Sequence, residues 1–153
     1  MIVKYLCCLT IAIGLSLPGA LAPAAQAQDI TGTWSFKTKV KRKGCTFTGN
    51  MSISPPAENG TRTCSFVSSE SCELSPERAI SVEQTCRITP QADRYIIRSQ
   101  VISSLTEGYS IASYLPDHFV VKPTNPKEMK GIWQDTQYSA PVTFWRDENL
   151  AVS

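Results

Sequence analysis

Alternation of apolar and polar positions with a period of two dominates the chain from residue 30 onward. It marks a succession of strands whose side chains point to opposite faces in turn. Ile30, Trp34, Phe36 and Val40 form the first inward set, with Thr33, Ser35, Lys37 and Lys39 outward. Cys45, Phe47, Met51 and Ile53 form the second, opposite Thr46, Thr48, Asn50 and Ser52. Pro55-Pro56-Ala57-Glu58-Asn59-Gly60 then interrupts the pattern, and Asn-Gly is a strong turn signal. Alternation resumes through Arg62, Cys64 and Phe66, through Ile80, Val82, Gln84, Cys86 and Ile88, and through Tyr95, Ile97, Ser99 and Val101.

The remainder is less regular. Residues 103–117 read as a long loop with a short extended or helical piece, and Pro123-Thr124-Asn125-Pro126 as a turn. Residues 118–122, 128–136 and 140–146 complete eight strand candidates, with Val142 and Phe144 inward. Ser75-Pro76-Glu77-Arg78 carries the one helix signal, an N-cap serine followed by proline at the first helical position. Eight sequential strands with short connections predict an all-β fold, an eight-stranded antiparallel up-and-down barrel or a curled meander. A two-sheet sandwich is the alternative.

Residues 1–27 follow a different rule. Lys4 precedes an apolar run from Leu6 to Leu17, Pro18-Gly19 breaks it, and Ala25-Gln26-Ala27 matches a signal-peptide cleavage site. The run of about 12 residues falls short of the roughly 20 that a spanning helix needs. Cys7 and Cys8 stand at the very start of the apolar run, too early for a lipoprotein attachment site. The expectation is an exported precursor, from a bacterium, with a mature domain at 28–153, periplasmic or secreted and without a membrane span. In that oxidising setting Cys45, Cys64, Cys72 and Cys86 read as disulfide partners. The strand register favours Cys45–Cys72 with Cys64–Cys86. Cys45–Cys64 with Cys72–Cys86 is the alternative, and a Cys64–Cys72 link would contradict the register.

Charge excludes little beyond nucleic acid. Fifteen Lys and Arg against thirteen Asp and Glu give +2, well below the excess that marks a nucleic-acid binder. Lys37, Lys39, Lys41, Arg42 and Lys43 cluster without an acidic neighbour. They read either as outward lysines guarding a strand edge plus a charged turn, or as a patch for anionic lipid, polysaccharide or an acidic protein surface.

Catalytic chemistry finds no constellation. The cysteine spacings match no zinc motif, and His118 is the single histidine. Asp117 precedes it, but adjacent strand residues face opposite ways, and no serine sits in a G-x-S-x-G elbow. Glu70 with Glu73, and Asp147 with Glu148, read as solvated loop charges rather than a glycosidase pair. No cofactor, metal site or catalytic residue is expected.

The aromatic residues are more informative. Trp34, Phe36, Phe47, Phe66, Tyr95 and Phe144 face inward, and Trp133 does if Met129 does. They either fill the barrel or line an apolar cup at one end. For the cup, Trp34, Phe47, Met51, Phe66 and Tyr95 are the candidate ligand-binding residues.

Ile30-Thr31-Gly32-Thr33-Trp34 resembles the G-x-W signature that opens lipocalins and avidin-like proteins, the calycin group. The resemblance implies an eight-stranded barrel closed at one end by Trp34, with Gly32 letting backbone pack beneath the indole. The chain also resembles small bacterial periplasmic inhibitors of secreted metalloproteases: an exported precursor, G-x-W on the first strand, and a cysteine soon after, here Cys45. In that family a free N-terminal arm enters the protease cleft, and the counterpart here is the short Gln28-Asp29. The expected function is therefore a non-enzymatic, lipocalin-like, monomeric binding protein for a small apolar ligand or a cell-envelope component. The alternative is a protein-interaction module such as a protease inhibitor, presenting loops 54–60, 68–78 and 103–117.

Overall fold

The computed structural model describes residues 28–146; the expected signal segment at 1–27 and the Asp147-Glu148 pair lie outside the described residues. Eight strands follow in order: β1 (Gly32–Val40), β2 (Cys45–Ile53), β3 (Arg62–Cys72), β4 (Ser75–Gln91), β5 (Arg94–Ser104), β6 (His118–Asn125), β7 (Glu128–Gln134) and β8 (Ser139–Arg146). Each pairs antiparallel with the next, and β8 pairs back with β1, so the sheet is a closed up-and-down barrel. A single 3-10 turn at Ile111–Ser113 interrupts the connection between β5 and β6. No helix among the described residues is long and apolar enough to cross a membrane.

The period-two reading places most of the interior, although Ser35, read as outward, is buried. Trp34, Phe36 and Val40 of β1, with Phe47, Met51 and Ile53 of β2, are buried, as are Trp133 and Met129. Lys37 and Lys39 are exposed. Lys37 guards no edge, however, because β1 is paired there on both sides, and Lys39 lies one residue past the end of the β1–β8 ladder. Thr38 joins the interior set by donating its hydroxyl to the Pro141 carbonyl at 2.8 Å.

Register also fixes the disulfides. Cys45 stands directly across from Cys72 in the β2–β3 ladder, and Cys64 across from Cys86 in the β3–β4 ladder. Both pairs are bonded. Together they staple β2, β3 and β4 at opposite ends of β3.

Ser75–Arg78 is strand, not helix. It opens β4 immediately after the hairpin turn, where the β3 register jumps from Cys72↔Ser75 to Glu70↔Ile80. Pro76 lies inside that jump, where its missing N–H removes no ladder bond. The helical piece expected within 103–117 is the 3-10 turn, capped by Ser110. Residues 68–72 belong to β3 and 75–78 to β4, so the expected 68–78 loop shrinks to a tight hairpin turn at Glu73-Leu74.

Candidate functional site

The two ends of the barrel are built differently. At one end Trp34 lies under Arg146, whose guanidinium sits 4.4 Å from the indole centroid. The indole Nε1 donates to the Ile30 carbonyl at 2.8 Å. Arg146 in turn donates to the carbonyls of Thr31 (2.6 Å), Asp29 (3.0 Å) and Pro126 (2.8 Å). Gly32 adopts φ +113°, and a Cβ there would stand 2.9 Å from Arg146 Nη1. The glycine thus makes room for the arginine above the indole. Arg62 adds a bond to the Thr31 hydroxyl and an ion pair with Asp29. The Tyr95 hydroxyl holds the Gln28 carbonyl at 2.8 Å. Gln28 and Asp29 are therefore tied to the barrel, not presented as a free arm.

The waist is filled by rings. Phe36 packs against Phe66, Phe119 and Phe144 with centroids 5.8, 5.2 and 5.3 Å apart. Gly49 faces Phe36 across the β1–β2 ladder, and a Cβ on it would lie 2.5 Å from that ring and 2.2 Å from the Val67 carbonyl oxygen. The sheet bends close only because that side chain is absent.

The other end carries the connections 41–44, 73–74, 105–117 and 135–138, and here the interior turns polar. Asp117, just ahead of β6, is fully buried. Its Oδ1 accepts from Trp133 Nε1 at 2.6 Å; its Oδ2 accepts from Gln84 Nε2 at 2.6 Å and from the Tyr114 hydroxyl at 3.1 Å. Gln84 is also an acceptor, taking the Asp117 backbone N–H at 3.1 Å. The Ser68 hydroxyl lies 3.4 Å from that of Tyr114. Burial pushes the Asp117 carboxyl above its ordinary value, while the bonds from Ser68, Trp133, Gln84 and Tyr114 pull the other way. Burial, and next the adjacent Asp117, raise the Tyr114 phenol, which stays a donor.

Above this cluster lies a hollow of about 230 Å³, lined by Phe47, Tyr109, Tyr114 and Leu115 with the Lys43–Glu70 ion pair (2.6 Å) at its side. Lys43 also stands 5.2 Å over the Phe47 ring, and Phe47 stacks on Trp133 at 4.6 Å. Glu70 is thus a buried strand residue, not the solvated loop charge expected from sequence; only Glu73 remains exposed, paired with Lys39 at 2.8 Å.

The five residues singled out for a pocket occupy three levels of the barrel. Trp34 and Tyr95 belong to the Arg146 end, Met51 and Phe66 pair across β2–β3 at the waist, and Phe47 reaches the hollow. The Asp117 cluster escaped sequence reading. Its one visible signal was Gln84, a polar residue between Val82 and Cys86 on an inward face. Asp117 and His118 do point apart: His118 Nδ1 accepts from the Ser99 N–H at 3.1 Å on the far side. Burial, then Arg98, lower the His118 pKa, with Asp135 opposing.

Cys45, Glu70 and Cys72 bring potential metal-binding atoms together, but both sulfurs are committed to a disulfide, leaving one carboxylate. A second groove, about 570 Å³, lies outside the barrel where β1 and β8 part beyond Thr38↔Val142. Lys39, Lys41 and Arg42 line one side of it and residues 134–141 the other.

These features define a closed eight-stranded β-barrel with one sealed end and one loop-bearing end. No protein-family model and no curated protein matches the chain. Among solved structures it is similar to a de novo designed fluorescence-activating β-barrel, at 14% identity and a TM-score of 0.52 over 79% of this chain and 96% of that one. It is similar also to a redesigned β-barrel, at 18% identity and TM-score 0.53, covering 84% of this chain and 98% of the other. A further redesigned barrel, bound to DFHBI, matches at 13% identity and TM-score 0.52, covering 82% and 100%. At these identities the likeness is one of fold.

Proposed function

We propose that the protein is an exported, non-enzymatic binding protein that holds a small ligand in the hollow at the loop-bearing end. One observation carries this reading: the hollow sets three rings, Phe47, Tyr109 and Tyr114, among convergent polar groups, Lys43, Glu70, Ser113, Asp135 and Gln137, so that it offers ring contacts and hydrogen-bond partners together. At about 230 Å³ it is smaller than the roughly 300–1,000 Å³ of drug-sized pockets, so the ligand is correspondingly small. The Lys43–Glu70 pair at its edge makes an amphipathic ligand a better fit than the purely apolar one expected from sequence. That a barrel of similar fold is bound to DFHBI supports the architecture as a small-molecule holder. The signal-like sequence of residues 1–27 and the two disulfides support a site of action outside the cytoplasm.

The test is native mass spectrometry of the protein purified from its own host. The expected result is a retained small molecule, lost from a Tyr109→Ala variant. A bare protein that also takes up nothing from a fragment library in a thermal-shift screen would refute ligand binding.

Protein interaction is the second reading, favoured by the apolar Leu74 at 94% exposure on the β3–β4 turn and by Leu105 at 56%. An inhibitor working through a free N-terminal arm fits poorly with a Gln28-Asp29 segment tied down by Tyr95, Arg62 and Arg146. Incubating secreted proteases of each class with the purified protein decides this reading; unchanged activity throughout rejects the inhibitor.

A further inference from the structure

Tyr114 is unlike the other interior rings, because it comes from the 105–117 connection and not from a barrel strand. Its ring is nonetheless only 7% exposed, and its hydroxyl reaches a cluster prepared by the barrel wall: Ser68 of β3, Gln84 of β4 and Trp133 of β7, gathered on Asp117. The segment that carries it is self-contained. The 3-10 turn bonds within itself, through Ser113 N–H and Oγ to the Ser110 carbonyl and Tyr114 N–H to the Ile111 carbonyl. Ile111, Ala112 and Ser113 are exposed. Gly108, at φ +71° with nothing within 4 Å of its Cβ position, supplies a free pivot at the start of the segment.

We propose that Tyr114 fills, from within the chain, the place of the ligand, and that the ligand is a phenol or a similarly small ring bearing one hydrogen-bond donor. It displaces the Tyr114 ring from beside Tyr109 and donates to Asp117. This rests on the reading of the hollow as a ligand site and names the chemistry of what enters.

The class follows from what Asp117 lacks once Tyr114 leaves. Trp133 still serves Oδ1 and Gln84 still serves Oδ2, but Oδ2 loses its second, phenolic donor, and a buried carboxylate that gives up one of its bonds is less well satisfied. A phenolic O–H or a ring N–H restores the bond. A ring without a donor leaves Oδ2 with the Gln84 amide as its one donor, and an anionic ring places like charge against a buried carboxylate. Self-occupancy also lowers apparent affinity: the fraction of molecules with Tyr114 withdrawn scales the dissociation constant. Removing the internal occupant therefore tightens binding, the reverse of what loss of an ordinary contact residue does.

The experiment is calorimetric titration of the purified protein with p-cresol, the tyrosine side-chain analogue, and with toluene, which lacks the donor. Wild type is expected to bind p-cresol, Tyr114→Ala at least tenfold more tightly, and both to prefer p-cresol over toluene. Tyr114→Phe, which keeps the ring but gives up its bond to Asp117, is expected to bind p-cresol more tightly than wild type, and it decides the matter if Tyr114→Ala does not fold. Equal p-cresol affinity in wild type and a folded variant overturns the proposal, as does binding by the variant alone or by neither. If the host-purified protein retains a molecule without a ring donor, and Tyr109→Ala releases it, the phenolic class falls while the hollow stands. If nothing is retained and neither variant takes up any fragment, both fall.

Discussion

Trp133 and Asp117 meet inside the barrel, the indole Nε1 donating to a carboxylate oxygen at 2.6 Å although both residues are fully buried. An acid in such a place is retained only with its bonds satisfied. Asp117→Leu orphans the Trp133 N–H and the Gln84 amide and is expected to destabilise the protein by about 3 kcal/mol. Asp117→Asn keeps an acceptor for Trp133 but sets an amide against Gln84 Nε2, and is expected to lose about 1–2 kcal/mol. Urea denaturation at neutral pH checks the order. Because the folded pKa of Asp117 is raised, its contribution is full below the unfolded value of about 3.9 and declines as pH rises through the folded value. In Asp117→Asn that slope disappears.

His118 should give the opposite slope. Its Nδ1 is an acceptor for Ser99, which requires the neutral ring, and its folded pKa is lowered. The contribution is present above the unfolded value of about 6.5 and lost as pH falls through the folded one. Unfolding midpoints measured from pH 7.5 to 5 should fall in wild type, and the fall should be smaller in His118→Gln.

Arg146→Ala removes the cation over Trp34 and three bonds to backbone carbonyls. The expected loss is about 2–3 kcal/mol, read from the denaturation midpoint. Arg146→Lys should recover a minor part, since an ammonium cannot stack on the indole and span the Thr31, Asp29 and Pro126 carbonyls together.

Two glycines should fail for different reasons. Gly49→Ala drives a methyl into the Phe36 ring and the Val67 carbonyl, and is expected to cost about 2–3 kcal/mol. Gly108→Ala meets open space and pays only for its left-handed backbone, about 1 kcal/mol. Thermal melts of the two variants separate crowding from conformation.

Strand order, interior faces and disulfide pairing were legible because period-two alternation and the Asn59-Gly60 turn are local signals, and register propagates from them. Closure was legible as a strand count, but the partnership of β1 with β8 was not, so Lys37, paired on both sides, was read as guarding an edge. Ser75-Pro76 misled because a proline beginning a helix and one sitting in a bulge look alike until the partner strand is known. The Asp117 cluster draws on Ser68, Gln84, Tyr114 and Trp133, whose convergence depends on barrel curvature, and no spacing along the chain encodes that. Glu70 was misread for the same reason: alternation from Phe66 through Ser68 points it inward, yet a carboxylate near a cysteine suggested a loop.

The Arg146 bond to the Thr31 carbonyl joins positions 115 residues apart, whereas the two disulfides span 27 and 22. The covalent links are thus local to β2, β3 and β4, and closure of the barrel is the long-range contact. A chain emerging N-terminus first can set both covalent links while β5 to β8 are still unmade, curling β2, β3 and β4 into a fixed trough. The loop-closure entropy of the final seam then falls on the last strand alone. Arg146, the last residue of β8, ties that strand to the segment that leads into β1.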